Sequence, residues 1–205
     1  MKKEFLKRIF VYQLNQFKMS IMKIILIVVG CLIILCILIY LYFGGFKRLN
    51  IQIEEQGGET VVYDEIRGDY RQSGAVMDKI YYSLKEKDKI ETFKGFGFYY
   101  DNPKKVEINK LRSEAGCIIE SPDLDKLLNL SGNFKSKVLP KKKYIITEFP
   151  YKGKISVMFS IMKVYPSMSK FAEERDLDSD GAVTEIYDIP NGRILYRKEI
   201  VKRDE

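Results

Sequence analysis

Apolar and polar positions divide this chain into two regimes. From Ile24 to Phe43 there are 20 residues without a charge, which as a helix would rise about 30 Å, the thickness of a bilayer's hydrocarbon core. Beyond Gly44-Gly45 the apolar runs become short, and alternation gives way only twice to a helical period. Val61 to Ile66 predicts a strand by its β-branched and aromatic content. Arg67-Gly68-Asp69-Tyr70 turns the chain; from Ser73, read as an N-cap, Met77, Ile80, Tyr81 and Leu84 lay out the stripe of an amphipathic helix. Gly95 to Tyr100 and Leu111 to Glu120 are the next strands, so the first unit reads β-α-β-β. Ser121-Pro122 opens a short helix through Asp125 to Leu130, and residues 132–143, with Pro140 and three lysines, read as an exposed crossover. Tyr144 to Pro150 starts a second β-α-β-β unit. Its helix carries Ile155, Met158, Phe159 and Met162, and its closing strands, Ala182 to Asp188 and Arg193 to Ile200, are joined through Pro190-Asn191-Gly192. Pro166 is expected to break or kink that helix, leaving Ser167 to Leu177 as a separate helical piece.

The repetition extends to a local motif. Phe98-Tyr99-Tyr100-Asp101-Asn102-Pro103 and Tyr187-Asp188-Ile189-Pro190 both end a strand with Tyr-Asp-x-Pro, 87 positions apart. Asp favours a local turn and Pro has no N–H for a ladder, so each copy is a strand stop. The fold class expected is α+β: an N-terminal transmembrane helix, then two tandem units forming one antiparallel sheet with helices on one side. The segments are a basic stretch 1–23, a transmembrane helix 24–43, a linker 44–60 with a short extended piece at Asn50 to Glu55, a first unit 61–120, a connector 121–143 and a second unit 144–201.

The net charge of +7 suggests nucleic acid, but residues 1–43 carry +5 of it, leaving +2 on the other 162 residues. Basicity flanking an apolar run sets membrane topology, so the expected partner is a membrane and not nucleic acid. A cleaved signal peptide would have an apolar region of about 7–15 residues and small residues after it. Here the run is longer and leads into Tyr40, Tyr42 and Phe43, placed like an interfacial aromatic belt, which favours an uncleaved single-pass anchor. Six basic residues precede the span and two follow soon after, putting the N-terminus in the cytoplasm; translation from Met19 or Met22 would leave only Lys23 and reverse the bias. With no His, and with its three cysteines at Cys31, Cys36 and Cys117, the chain carries no His-based catalytic arrangement, no zinc site and no disulfide framework, and no cofactor or metal is expected.

Gly95-Phe96-Gly97-Phe98-Tyr99-Tyr100-Asp101-Asn102-Pro103, Leu111-Arg112-Ser113-Glu114-Ala115-Gly116-Cys117, Glu148-Phe149-Pro150-Tyr151, Val164-Tyr165-Pro166 and Glu185-Ile186-Tyr187 resemble, in order, the GyrI-like effector-binding domain. More narrowly they resemble its membrane-anchored branch, which includes the testis-expressed endoplasmic-reticulum autophagy receptor. The resemblance implies two tandem SHS2 modules with a groove between them. In drug-sensing relatives the groove takes lipophilic, often cationic molecules through an acidic residue among aromatics; other relatives hydrolyse strained cyclopropane-type compounds. The receptor's docking tail is not found before Glu205, and Tyr63-Asp64-Glu65-Ile66, which fits its short pattern, lies in a predicted core strand.

By the Glu-x-Tyr match, the resemblance places the acidic ligand residue at Glu185. Glu185 and Tyr187 share one strand face, and an acid facing tyrosines would attract a cation by charge and by cation–π contacts of roughly 0.5–2 kcal/mol each; the alternative is a solvated strand carboxylate. Phe98 and Tyr100 share a face, with Tyr99 on the other, and are assigned to the groove, with Tyr151 in the second turn closing over it. Glu65 and Glu148 read as turn-facing or salt-bridged, Asp101 and Asp188 as turn formers, and Lys104-Lys105 and Lys141-Lys142-Lys143 as solvated faces or contacts to anionic headgroups. The expected function is a membrane-anchored, non-catalytic domain binding a small lipophilic or cationic ligand. The alternatives are a hydrolase with Glu185 as its acid/base, and an adaptor tethering a protein partner.

Overall fold

The computed structural model describes residues 2–120, 123, 125–127 and 130–202; the helix start expected at Ser121-Pro122 lies outside them. The chain divides into two compact units between Tyr42 and Phe43. The first holds one continuous helix, α1 (Lys2–Tyr42). No Pro or Gly interrupts the chain before Gly30, so the helix does not start at Ile24 but runs through the basic stretch as well. Within it Asn15–Tyr42 is long and apolar enough to cross a membrane by length and composition.

The second unit is α+β. Its strands are β1 (Gln52–Gln56), β2 (Thr60–Arg67), β3 (Lys94–Tyr99), β4 (Arg112–Ile119), β5 (Lys135–Val138), β6 (Lys142–Pro150), β7 (Val183–Asp188) and β8 (Arg193–Glu199), with helices α2 (Ser73–Ser83) after β2 and α3 (Lys154–Glu173) after β6. They form one antiparallel sheet in the order β1-β6-β8-β7-β3-β4-β2-β5, with both helices on the same face. Each half is thus β-β-α-β-β, and each gives its first strand to the other. β1 pairs with β6 at one edge, Ile53 opposite Ile145, while β5 pairs with β2 at the other, Val61 opposite Lys137. The extended piece expected at Asn50 to Glu55 is therefore edge strand β1, and part of the stretch read as an exposed crossover is edge strand β5. Both are short and polar (Gln52-Ile53-Glu54-Glu55-Gln56 and Lys135-Ser136-Lys137-Val138), which leaves their partners unmarked in the hydrophobic pattern and suits sheet edges.

Two clusters fill the layer between sheet and helices. Val62, Cys117 and Ile119 pack under Ile80 of α2 and Leu84 of the helical turn that follows it; Ile145, Phe149, Ile194 and Tyr196 pack under Val164, Met168 and Ala172 of α3. The other sheet face is lined by the side chains that alternate toward it. Val61, Tyr63, Phe96, Ile118, Leu139 and Ile186 form a third cluster there; it takes Tyr63 of Tyr63-Asp64-Glu65-Ile66, while Ile66, also buried, points to the opposite face of β2.

α2 departs from its expected cap and α3 from its expected face. Ser73 is a buried residue inside α2, and the capping side chain is Asp69, whose carboxylate accepts from the Arg71 N–H at 2.9 Å ahead of a short 3₁₀ turn. α3 runs through Pro166 without a break. The stripe Ile155, Met158 and Met162 is solvent-exposed, and the face toward the sheet is Ser156, Ser160, Val164, Met168 and Ala172 at i, i+4 spacing. The reason is steric and polar. Ser160 Oγ donates to the Val157 carbonyl and sits 2.5 Å from the Tyr196 hydroxyl, so a small residue admits the helix over a large aromatic.

Candidate functional site

Antiparallel pairing at the centre of the sheet decides which side chains meet. Glu185 on β7 stands opposite Gly97 on β3 and Tyr196 on β8; Tyr187 stands opposite Gly95 and Ile194. All of these point to the helix face. The alternation Gly95, Gly97, Tyr99 thus removes two side chains from that face and ends it with an aromatic. A Cβ on Gly97 would lie 2.7 Å from the Tyr99 hydroxyl oxygen, which shows that the Tyr99 ring folds back across this glycine. Tyr99 also packs on Tyr70, ring centroids 4.9 Å apart.

The result is a groove of about 1380 Å³ between α2 and α3, floored by β3 and β7, ample for a drug-sized molecule. Its aromatic centre is Tyr99, Tyr165 and Tyr187 around Glu185, and Phe93, Ile161, Met162 and Ile189 put exposed apolar surface around its rim. Glu185 is 1% exposed. Its two carboxylate oxygens accept from the Tyr165 hydroxyl at 2.7 Å and the Tyr187 hydroxyl at 2.5 Å, and among the described residues no cation pairs with it. Burial pushes the Glu185 carboxyl above its ordinary range, and the two hydroxyl donors oppose that. Burial and then the neighbouring carboxylate push the Tyr165 and Tyr187 phenols well above theirs, so the hydroxyls stay protonated and remain donors. Such a site can receive a cation at the carboxylate or a polarised group between carboxylate and phenols.

The structure brings together some of the residues singled out from the sequence and separates others. Glu185, Tyr187 and Tyr151 line the groove, with the Tyr151 and Tyr187 rings 6.0 Å apart. Phe98 does not: it stands opposite Thr184 on the other sheet face and packs with the third cluster. Tyr100 touches the groove edge, but its hydroxyl donates to Glu114 at 2.6 Å, and Glu114 lies on the Phe98 side. The groove tyrosine of this strand is Tyr99. Glu65 and Glu148 are held in ion pairs, with Lys135 at 2.6 Å and Arg193 at 2.8 Å. Asp101 accepts from Arg112 at 2.7 Å and Asp188 from Arg193 at 3.1 Å, so each stop residue ties its strand end to the arginine that opens the next strand.

Tyr165 belongs to the centre and Tyr196 packs against it from the core, ring centroids 6.0 Å apart; neither was given a role by the sequence pattern. Tyr165 follows Val164 on α3 and shows no strand-like alternation to place it. Tyr196 is recognisable only through its pairing with Glu185, a register no local signal states. For Tyr99 the signal was present: a face carrying Gly, Gly and then Tyr is the face with room.

A model of the family described as "GyrI-like small molecule binding domain" matches residues 49–194. Among solved structures, EcmrR in an EcmrR–DNA complex is 13% identical, covering 82% of this chain and 64% of that one, with a TM-score of 0.54. The isolated EcmrR C-terminal domain is 11% identical over 76% of this chain and 99% of that one, TM-score 0.50. An integron cassette protein from the mobile metagenome of Vibrio cholerae is 14% identical over 75% and 99%, TM-score 0.50. These likenesses are of fold. A search of curated proteins gives no match.

Proposed function

The chain belongs to the GyrI-like small-molecule-binding domain family, and from that premise we propose that it is a single-pass membrane protein whose domain binds a lipophilic cation without chemical conversion. The observation that carries the reading is Glu185. A buried carboxylate held by two phenol hydroxyls, with no cation paired to it among the described residues, is an unbalanced charge at the floor of a groove. Burying a lone charge is costly, and a cationic ligand would offset that cost while stacking on Tyr99, Tyr165 and Tyr187. α1 supplies the membrane half of the proposal, in keeping with the anchored branch that the motifs resemble: Asn15–Tyr42 has the length and apolar content of a span.

One observation favours a hydrolase as the second reading. The raised proton affinity of Glu185 and its contact with two phenols suit a carboxyl that hands a proton to or takes one from a bound substrate. Titrating the full-length protein in lipid nanodiscs with butyltriphenylphosphonium, followed by the fluorescence of its 14 tyrosines, tests the first reading. Saturable binding with the ligand recovered intact supports it. No saturable binding of this or other lipophilic cations would sink it, and turnover of a strained-ring ester or amide dependent on Glu185 would transfer the case to the second.

A further inference from the structure

The groove holds a second buried charged group, at its polar end. Lys198 on β8 stands opposite Val183, two residues from the Tyr196 that faces Glu185. Lys198 and Glu185 are therefore diagonal neighbours on the same sheet face, roughly 7–8 Å apart at the backbone. Lys198 is 4% exposed and lines the groove together with Ser169, Ser179, Asp180 and Gly181. Its Nζ donates to the Gly181 carbonyl at 3.0 Å; among the described residues that is its one hydrogen bond, and it forms no ion pair.

The nearby acids are committed elsewhere. Asp180 accepts from Asn102 at 3.0 Å and pairs with Lys105, and Asp178 accepts from the Asp180 N–H at 2.9 Å. They act on Lys198 only through space, against a burial that pushes its ammonium below the ordinary lysine range. The arrangement is fixed by backbone contact: a Cβ on Gly181 would run into the Glu199 carbonyl, so glycine alone lets the turn lie against β8 with its own carbonyl on Nζ. An ammonium has three N–H donors, and here two have no partner among the described residues on a side chain that lines the groove.

We propose that Lys198 is the second polar anchor of the groove, so that its ligand carries a cationic group for Glu185 and the tyrosines and, at the other end, a hydrogen-bond acceptor of carboxylate, phosphoryl or carbonyl type for Lys198. The proposal rests on the cation reading of Glu185 and narrows it from any lipophilic cation to a two-ended, amphipathic one. The acceptor replaces the water that an ammonium loses on burial, which is where its selectivity comes from.

The test uses the full-length chain in nanodiscs and isothermal titration with two matched pairs: butyl- against (3-carboxypropyl)triphenylphosphonium, and hexyl- against (5-carboxypentyl)triphenylphosphonium. The wild type is expected to bind at least one carboxylated compound about tenfold or more tighter than its alkyl partner. Lys198→Met should abolish that preference and leave the alkyl affinities within about twofold, Lys198→Arg should keep part of it, and Glu185→Gln should weaken all four compounds. Equal affinities within both pairs for the wild type, with Glu185→Gln still weakening binding, overturn the Lys198 anchor and leave the cation reading standing. Failure of all four compounds to bind the wild type overturns both. A Lys198→Met variant that folds, by its melting curve, and loses alkyl and carboxylated compounds alike makes Lys198 a structural residue and also refutes the inference; the wild-type preference decides the matter if that variant does not fold.

Discussion

Replacing Gly97 by alanine is the sharpest perturbation of the groove floor short of touching Glu185. The new Cβ would lie 2.7 Å from the Tyr99 hydroxyl oxygen and 3.0 Å from two of its ring carbons, closer than packed atoms approach. The ring must swing off the glycine, away from its edge-on contact with Tyr70. Overpacking of this kind costs about 1–3 kcal/mol, set against the roughly 0.5–1 kcal/mol that alanine gains over glycine in a strand. Two residues earlier, Gly95→Ala serves as control on the same face: its Cβ would meet Met77 Sδ at 3.4 Å and Tyr187 Cβ at 3.7 Å, ordinary contacts, so the entropic gain stands alone. Thermal unfolding of the two variants should separate them by about 1–3 kcal/mol, several degrees of Tm for a chain of this size, with Gly95→Ala at or above wild type. Only Gly97→Ala should also weaken lipophilic-cation binding, because it displaces an aromatic wall. Equal melting temperatures and equal affinities for the two variants would refute the placement of Tyr99 over Gly97.

Three further outcomes follow from the same structure. Arg197 is 4% exposed and is held by Glu59, with Arg197 Nη1 2.9 Å from Glu59 Oε2. Glu59→Ala should therefore cost about 3 kcal/mol, the low end for a broken buried pair because Glu59 itself is partly exposed; a loss under 1 kcal/mol in urea unfolding would contradict the pairing. Burial tends to raise the Glu59 carboxyl, but the Arg197 guanidinium outweighs it and holds the group below its ordinary value of 4.5, so its contribution is present above that pH and is lost as the pH falls below it. Glu185 has the opposite sign. Its folded-state affinity for protons is raised above 4.5, so the wild type is destabilised as the pH rises from there, and Glu185→Gln should be no less stable than wild type at pH 7.5, with any advantage shrinking toward pH 4.5; an advantage that grows on acidification would be inconsistent. Finally, α1 predicts that the full chain stays in the membrane pellet through alkaline carbonate extraction, while a chain lacking residues 2–42 is released; full release of the intact protein would remove the anchor.

The duplicated unit, the antiparallel sheet and both helices were legible in the pattern because each carries its own local signal. What was not legible was shared between halves. β1 and β5 are polar edge strands whose partner lies in the other unit, so nothing near them in sequence announces pairing. The choice of Phe98 and Tyr100 over Tyr99 has a definite cause. Aligning the two Tyr-Asp-x-Pro stops implies an offset of 87, an odd number, and an odd slip carries every strand side chain to the opposite face. Asp188 is the last residue of β7, whereas Asp101 stands two residues beyond the end of β3, so the matching stops sit at different depths in their strands. Glycine spacing at Gly95 and Gly97 was the better guide to the face, since it marks where a ligand or another ring can approach. For α3, the apolar stripe pointed outward because the helix packs on Tyr196 through serines, which a hydrophobic period does not weigh.

The central claim is that an ionised Glu185 at the groove floor attracts the ligand's positive charge, and the pH dependence of cation affinity tests it most directly. The groove phenols Tyr99, Tyr165 and Tyr187 are all pushed up by burial, away from the neutral range. Isothermal titration of butyltriphenylphosphonium between pH 4.5 and 8 should show affinity constant at the alkaline end and falling as the pH drops through the raised Glu185 value, about tenfold per pH unit below it. In Glu185→Gln the affinity should be low and flat across the same range. An affinity independent of pH in the wild type, or a pH dependence that survives in Glu185→Gln, would contradict the account.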